Sequence, residues 1–264
     1  MCEIFCFNSN TPKQINKCLE CFYNHSEEHP HGWGLATMQS DEFVITKEPI
    51  KAACSQHLKD ILSHPVVGKN VFAHIRLATV GEIISPNCHP FIEADDNNRS
   101  WMLIHNGTIF DYPYLDNYKD KENGDTDSER ILLYIIDRVN EFEIAKGAPS
   151  TIKERFSLLT EIVSDLSKNN KLNLMIYDGD LTYIHSNMRG TLYYLKNEEG
   201  FLIASTPLTD DKDWKEVELN KLFGLIDGNI IFESEEHDNE YVLTSEHEKV
   251  LEEFLKTLKE ENND

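Results

Sequence analysis

The sequence predicts one domain of mixed strands and helices packed in layers. Three observations carry that expectation. Short strand-like runs are interleaved with amphipathic helical stretches. An Asp-Gly pair, Asp178–Gly179, sits between two strand runs as a hairpin turn does. No internal repeat or low-complexity linker divides the 264 residues, a length that suffices for one sizeable core.

The elements follow in order. Residues 2–7 read as a strand, and the stretch from Pro12 to about Ser26 as a helix with Ile15, Leu19 and Phe22 at helical spacing. "HPHGWGLA" is glycine-rich and leads into a strand; "EFVITKEP" is a short strand stopped by Pro49. "SQHLKDILSHP" reads as a helix capped by Ser55 and ended by Pro65. "NVFAHIRLATVG" is a strand running into a loop, and "WMLIHNGTI" a strand ending in a turn. Between them, Ile84 to Ser100 reads as the longest loop, polar and carrying three Asn. A helix then starts near "GDTDSE", with Ile131, Leu132, Ile135, Ile136 and Val139 on one face and Thr126 with Glu129 as a capping box. A further helix covers about Ser150 to Leu166. "LNLMIYDGDLTYIHS", "TLYYLKNEEGFLIAST" and "GLIDGNIIFES" supply hairpin strands. The chain closes on an acidic amphipathic helix at about 245–260, whose apolar face is Val250, Leu251, Phe254, Leu255 and Leu258.

Composition narrows the function. The 47 acids against 25 Lys and Arg give a formal charge of −22, a surface that repels phosphate backbones and anionic membranes, so no nucleic acid and no membrane partner is expected. There is no run of about 18 apolar residues and no basic-then-apolar leader, so the expected compartment is the cytoplasm. There Cys2, Cys6, Cys18, Cys21, Cys54 and Cys88 stay reduced.

Four stretches can carry chemistry. If Met1 is removed, Cys2 bears a free α-amine of ordinary pKa about 7.7–8.0, able to act as base toward its own thiol. Against this, a cysteine in an apolar strand is usually a small buried hydrophobe. In "HNGTI", the Asn106 side chain beside the Gly107 N–H offers two donors to an oxyanion, or is a plain Asn-Gly turn. In "AHIRLATVG", Arg76 in an apolar strand needs a partner, either a substrate carboxylate with Thr79 adding a hydroxyl, or a structural salt bridge. In "GDTDSE", Asp127 falls in a first helical turn, where it complements the helix dipole or takes a substrate ammonium.

Taken in order, Cys2, "HGWG", "AHIRLAT", "NCHPF", "HNG" and "GDTDSE" resemble the class II glutamine amidotransferases, most closely the small stand-alone YafJ-type. The resemblance is densest from Cys2 to Glu129 and continues more weakly to about Gly228. It implies an α+β fold, a four-layer αββα sandwich of two mainly antiparallel sheets between helices, the N-terminal nucleophile hydrolase fold. It implies one glutamine amidotransferase domain over 2–264. In that picture Cys2 attacks the glutamine amide and its amine shuttles the proton, while Asn106 and Gly107 hold the oxyanion. Arg76 clamps the α-carboxylate, Asp127 takes the α-ammonium, and His89 of "NCHPF" supports the site. Gly32 and Gly34 admit close backbone approach near the nucleophile, and Trp33 packs in the core. No cofactor and no metal is implied. The expected partners are glutamine or a γ-glutamyl compound and a separate synthetase or acceptor subunit; a homo-oligomer is left open. Many class II members have Trp and His where this chain has Leu77 and Val80.

Three alternatives remain at this level. One is a γ-glutamyl amide or peptide hydrolase with the same clamps. Another is a non-catalytic glutamine-binding protein. The third is a metal-binding or redox module built from Cys18, Cys21, His25, His29 and His31, whose spacing is short for a zinc pattern.

Overall fold

The computed structural model describes residues 2–39 and 42–261. Met1, on whose removal the reading of Cys2 depends, and the side chains of Leu255 and Leu258 lie outside the described residues.

The first half of the chain contains β1 (Glu3–Gln14), α1 (Asn16–Asn24), β2 (Trp33–Gln39), β3 (Glu42–Glu48), α2 (Gln56–Leu62), β4 (Val67–Ile75), β5 (Phe91–Ala94), β6 (Ser100–Thr108) and α3 (Asp127–Lys146). The second half contains α4 (Ile152–Leu166), β7 (Lys171–Tyr177), β8 (Thr182–Ser186), β9 (Tyr193–Lys196), β10 (Phe201–Ala204), β11 (Lys215–Glu216), β12 (Lys221–Ile226), β13 (Asn229–Glu233) and α5 (Ser245–Glu261). One sheet runs β11-β9-β10-β1-β4-β2-β3 and the other β13-β12-β8-β7-β6-β5; neighbouring strands are antiparallel in both.

Period-two alternation builds the layers. In β1, Phe5 and Phe7 face α1, joining Leu19, Phe22 and Trp33 in one apolar cluster. Ile4 and Cys6 face the other way, into the space between the sheets, where they meet Phe72, Met102, Ile104 and Met175. On the second sheet Leu103, Leu174 and Ile176 face α3 and α4, against Ile131, Ile135 and Leu159. Three apolar interiors therefore separate four layers, αββα, as the resemblance implies. The stripe Ile131, Leu132, Ile135, Ile136 and Val139 is buried as its spacing predicts. At about 1.5–3 kcal/mol per fully buried large aliphatic side chain it is the main fastening of α3 to the sheet.

The local expectations fail at three places. The first helix begins at Asn16, not Pro12: β1 continues to Gln14, with Lys13 and Gln14 paired to Gly68 and Val67 beyond an irregularity in register. Pro12 is tolerated in that exposed stretch, where a missing N–H costs little. The supposed loop 84–100 contains β5, a four-residue edge strand on β6. The Thr126 hydroxyl does cap α3, accepting from Glu129 N at 3.3 Å. The Glu129 carboxylate, however, accepts from Asn123 N and Gly124 N at 2.9 and 3.0 Å, so the reciprocal half of the box is absent. The complete capping box is Thr151 with Glu154 on α4.

Candidate active site

β1 begins beside the ends of β4 and β6, and this end of the sandwich gathers most of the residues singled out above. Glu3 pairs with Ile75, which sets Cys2 at the level of the segment after β4; its thiol donates to Leu77 O at 3.4 Å. Ser205, just past β10, clasps β1 from the other side. Its N–H donates to Ile4 O at 3.0 Å, and its Oγ accepts from Ile4 N at 3.0 Å. The same Oγ accepts from Asn106 Nδ2 at 3.2 Å, bringing the second sheet to the first. Asn106 is 3% exposed. Its Oδ1 accepts from Lys171 Nζ at 2.9 Å. Gly107 follows, where a Cβ would lie 2.0 Å from Lys171 O and 2.3 Å from His105 Nε2; no other residue fits that crossing of β6 and β7.

Arg76 is buried, but neither expected partner holds it in this state. Its guanidinium donates to three backbone carbonyls, Glu82 at 2.8 Å and Val80 and Gly81 at 2.9 and 3.1 Å. The loop that supplies them is braced from the "GDTDSE" stretch. Glu82 N donates to Asp125 Oδ1 at 3.2 Å, Asn87 Nδ2 donates to Glu82 O at 2.9 Å, and the Asn87 amide also bonds Asp125. A guanidinium has five N–H donors, so three carbonyls leave capacity for a carboxylate. The Thr79 hydroxyl meets that of Thr108 at 3.1 Å rather than Arg76. Asp127, the first residue of α3, accepts from Ile109 N at 2.9 Å and from the Ser128 hydroxyl at 3.3 Å, tying the helix start to the end of β6. A cavity beside it is lined by Ile109, Tyr112, Asp116 and Arg130.

His89 sits in the core. Its ring stacks on His74 at 4.0 Å and meets Phe91 edge-on at 4.6 Å, and neither ring nitrogen has a hydrogen-bond partner. The reason is the seating of the segment. Lys47 Nζ donates to Cys88 O and Pro90 O at 2.6 and 3.2 Å. Gly34 on β2 lets His89 O come so close that a Cβ would lie 1.8 Å from it. The glycine of the "HGWG" motif thus serves the approach of this segment, while Trp33 is fully buried as expected.

The residues of the metal reading are dispersed in their bonding. His25 pairs with Glu3 at 2.8 Å, His29 Nδ1 meets His25 O at 2.9 Å, and His31 Nδ1 accepts from Ala78 N at 3.0 Å. Cys18 and Cys21 pack on the α1 core, and burial, with the neighbouring Cys21, pushes the Cys18 thiol up to about 11. Among the described residues no group of three His, Cys, Asp or Glu is placed to hold a metal ion.

His31, whose backbone N–H also donates to Arg76 O at 3.0 Å, has its pKa lowered by burial and by the nearby Arg76 charge. Burial lowers the pKa of His74, His89 and His105 near this end and of His185; His74 and His89 lie well below the ordinary value, and burial with the neighbouring His237 pushes His185 down to about 3. His74, His89 and His185 therefore stay neutral in the fold below the unfolded value of about 6.5. As pH falls under about 6.5 the unfolded chain binds protons that the fold refuses, so stability is lost with falling pH. Each of the three accounts for about 1.4 kcal/mol in all between pH 7.5 and 5.5, so that change is expected to remove roughly 4 kcal/mol. Urea midpoints across that range check it; a flat profile contradicts it.

Two residues of this end escape sequence reasoning, Lys171 and Ser205. The signal for Lys171 is visible in retrospect: a lysine heads a strand whose other residues read as an apolar run, and all seven positions of β7 are buried. Ser205 falls in "IASTPLTDDKDWKEVE", within the weaker part of the resemblance, where no spacing singles out the serine.

Two antiparallel sheets face to face between helical layers, with a cysteine opening a central strand, define the N-terminal nucleophile hydrolase fold. Residues 1–201 match the family described as "Glutamine amidotransferases class-II", and the chain belongs to that family. It is 30% identical over 263 residues to an uncharacterized protein of Methanocaldococcus jannaschii, covering 88% of this chain and 71% of that one. It is 24% identical over 213 residues to the Escherichia coli protein named "Putative glutamine amidotransferase YafJ", covering 78% and 80%. The crystal structure of a predicted glutamine amidotransferase from Pseudomonas aeruginosa shares the fold, with a TM-score of 0.62 at 19% identity over 87% of this chain and 99% of that one. Among the described residues no helix is long and apolar enough to cross a membrane.

Proposed function

We propose that this chain hydrolyses the side-chain amide of glutamine through a thioester on Cys2, giving glutamate and ammonia. The observation that carries the reading is the bonding of Ser205 both to Ile4 of β1, two residues past Cys2, and to Asn106 of β6, while the Cys2 thiol bonds Leu77 O next to Arg76. Met1 is removed, and the freed α-amine takes the Cys2 thiol proton. The sulfur bonds to the amide carbon, and the oxyanion is held by Asn106 Nδ2 and the Gly107 N–H. The C–N bond then breaks, the proton leaves with ammonia, and water cleaves the γ-glutamyl thioester to restore the thiol. Arg76 and Asp127 hold the α-carboxylate and α-ammonium, with Thr79 beside the former and His89 supporting the site from the core. No cofactor takes part. The domain spans 2–264, works in the cytoplasm, and passes ammonia to an acceptor-bearing subunit.

A second reading, a γ-glutamyl amide or peptide hydrolase, is favoured by one feature. Leu77 and Val80, which replace the Trp and His of many relatives, belong to the segment whose carbonyls bond Cys2 and Arg76. Glutamate release from glutamine and from a panel of γ-glutamyl amides and dipeptides separates the two. The first reading expects the highest kcat/KM for glutamine. Cleavage of none of them by protein whose mass shows Met1 removed contradicts both.

A further inference from the structure

We propose that Lys171 is a positioning residue of the oxyanion site: its ammonium fixes the Asn106 amide with its N–H side free for the oxyanion. This rests on the hydrolase reading above for its catalytic consequence, though not for its test.

An Asn side chain has two similar faces, and its hydrogen-bond partners decide which is presented. An ammonium can only donate. The Asn106 atom that meets Lys171 Nζ at 2.9 Å is therefore the carbonyl oxygen. That places Nδ2 on the other side, toward Ser205 Oγ at 3.2 Å and the start of β1. One of its two hydrogens is used there and the second remains for an oxyanion. Without Lys171 the amide could turn over and present an oxygen, which repels an oxyanion.

The strand register makes this contact specific. Thr108 opposes Lys171 and Asn106 opposes Asn173, so the lysine reaches diagonally along the inner face of the second sheet, the face that carries Met175. Lys171 is only 2% exposed. Burying an ammonium is costly unless it is bonded, so a surface role is excluded. The ammonium also polarises the Asn106 carbonyl, which strengthens its N–H as a donor. Burial pushes the Lys171 pKa down to about 8, while the Cys2 thiolate pulls it back up. Among the described residues the titratable groups whose charge acts with it are Cys2, just before β1, and His105 from β6; Asn106, Asn173 and Ser205 beside them do not titrate.

The test uses the full chain with Lys171→Met, similar in length and uncharged, and Lys171→Arg, which keeps the charge. The side-chain amide resonances of Asn106, identified by their loss in Asn106→Ala, are followed by 15N NMR alongside kcat and KM for glutamine. In Lys171→Met the Asn106 amide pair is expected to shift and to exchange faster with solvent, since its carbonyl loses the ammonium that holds it. The kcat is expected to fall about ten- to a hundredfold with KM within about threefold, since the loss is confined to the transition state. Lys171→Arg is expected to return the amide resonances and most of kcat. If Lys171→Met does not fold, Lys171→Gln makes the same neutral comparison. Asn106 resonances that stay in place in the neutral variant, or that move equally in Lys171→Arg, overturn the assignment. A wild type that releases no glutamate overturns the hydrolase reading alone, because the amide resonances still decide the role of Lys171.

Discussion

Replacement of Cys2 by alanine is expected to lower glutamate release from glutamine by roughly 10⁴-fold or more, the scale on which removal of a covalent nucleophile acts. The expectation follows from how little else at this end of the sandwich can substitute. Among the other cysteines, Cys6 is buried between the sheets with its thiol pushed far up by burial, and Cys88 is buried with its thiol raised to about 11. Neither supplies a thiolate at neutral pH. The fold, in contrast, barely depends on the Cys2 side chain. Cys2 is half-buried, and its hydrogen bond to Leu77 O is a long one, 3.4 Å. The urea midpoint is therefore expected to move by an amount worth less than about 1 kcal/mol. Residual turnover above a few per cent in a folded Cys2→Ala protein would place the nucleophile elsewhere.

Asn106→Ala is expected to act differently, on both rate and stability. Loss of one oxyanion donor costs about 10²–10³ in kcat with little change in KM, because the bond exists only once charge has developed on the oxygen. The same substitution leaves Lys171 Nζ and Ser205 Oγ, both buried, without the amide they bond. Losing these two hydrogen bonds between buried groups, one of them to an ammonium, costs about 1–3 kcal/mol in a folded protein. The variant should therefore melt at a lower temperature than wild type while still binding glutamine. Turnover within threefold of wild type, in a protein of wild-type stability, contradicts the role given to Asn106.

Much of the fold was legible in the sequence, and for physical reasons. Strands and helices with one wet and one dry face announce themselves through period, so β6, α3, α4 and the β7–β8 hairpin fall where their patterns place them. Caps are legible when the side chain acts within its own turn, as Ser55 does by accepting from Leu58 N at 2.9 Å. What escaped depends on distant partners. β5 is four residues long and is a strand only because β6 lies beside it. The end of β1 extends through Pro12 because β4 lies alongside. Glu129 abandons its capping role because the 123–124 turn folds over it.

The site divides along the same line. Cys2, Arg76, Asn106, Gly107 and Asp127 could be singled out as candidates from motif order. Their resting partners could not: the carbonyls around Arg76 come from a loop held by Asn87 and Asp125. Lys171 and Ser205 stand 65 and 99 positions from Asn106, Lys171 just before "LNLMIYDG" and Ser205 inside "IASTPLTDDKDWKEVE", the stretches where the resemblance is weaker. His89 belongs to a motif yet packs in the core, since ring stacking with His74 cannot be read from spacing.

The central claim, that Cys2 becomes the N-terminal residue and carries the acyl group, is tested most directly by mass spectrometry of protein mixed with glutamine and quenched in acid during turnover. The account predicts a chain that starts at Cys2, with a fraction bearing one γ-glutamyl group on its N-terminal peptide, lost on treatment with hydroxylamine and absent in Cys2→Ala. A fully active protein that retains Met1, or a glutamyl group mapped to any other residue, would contradict it.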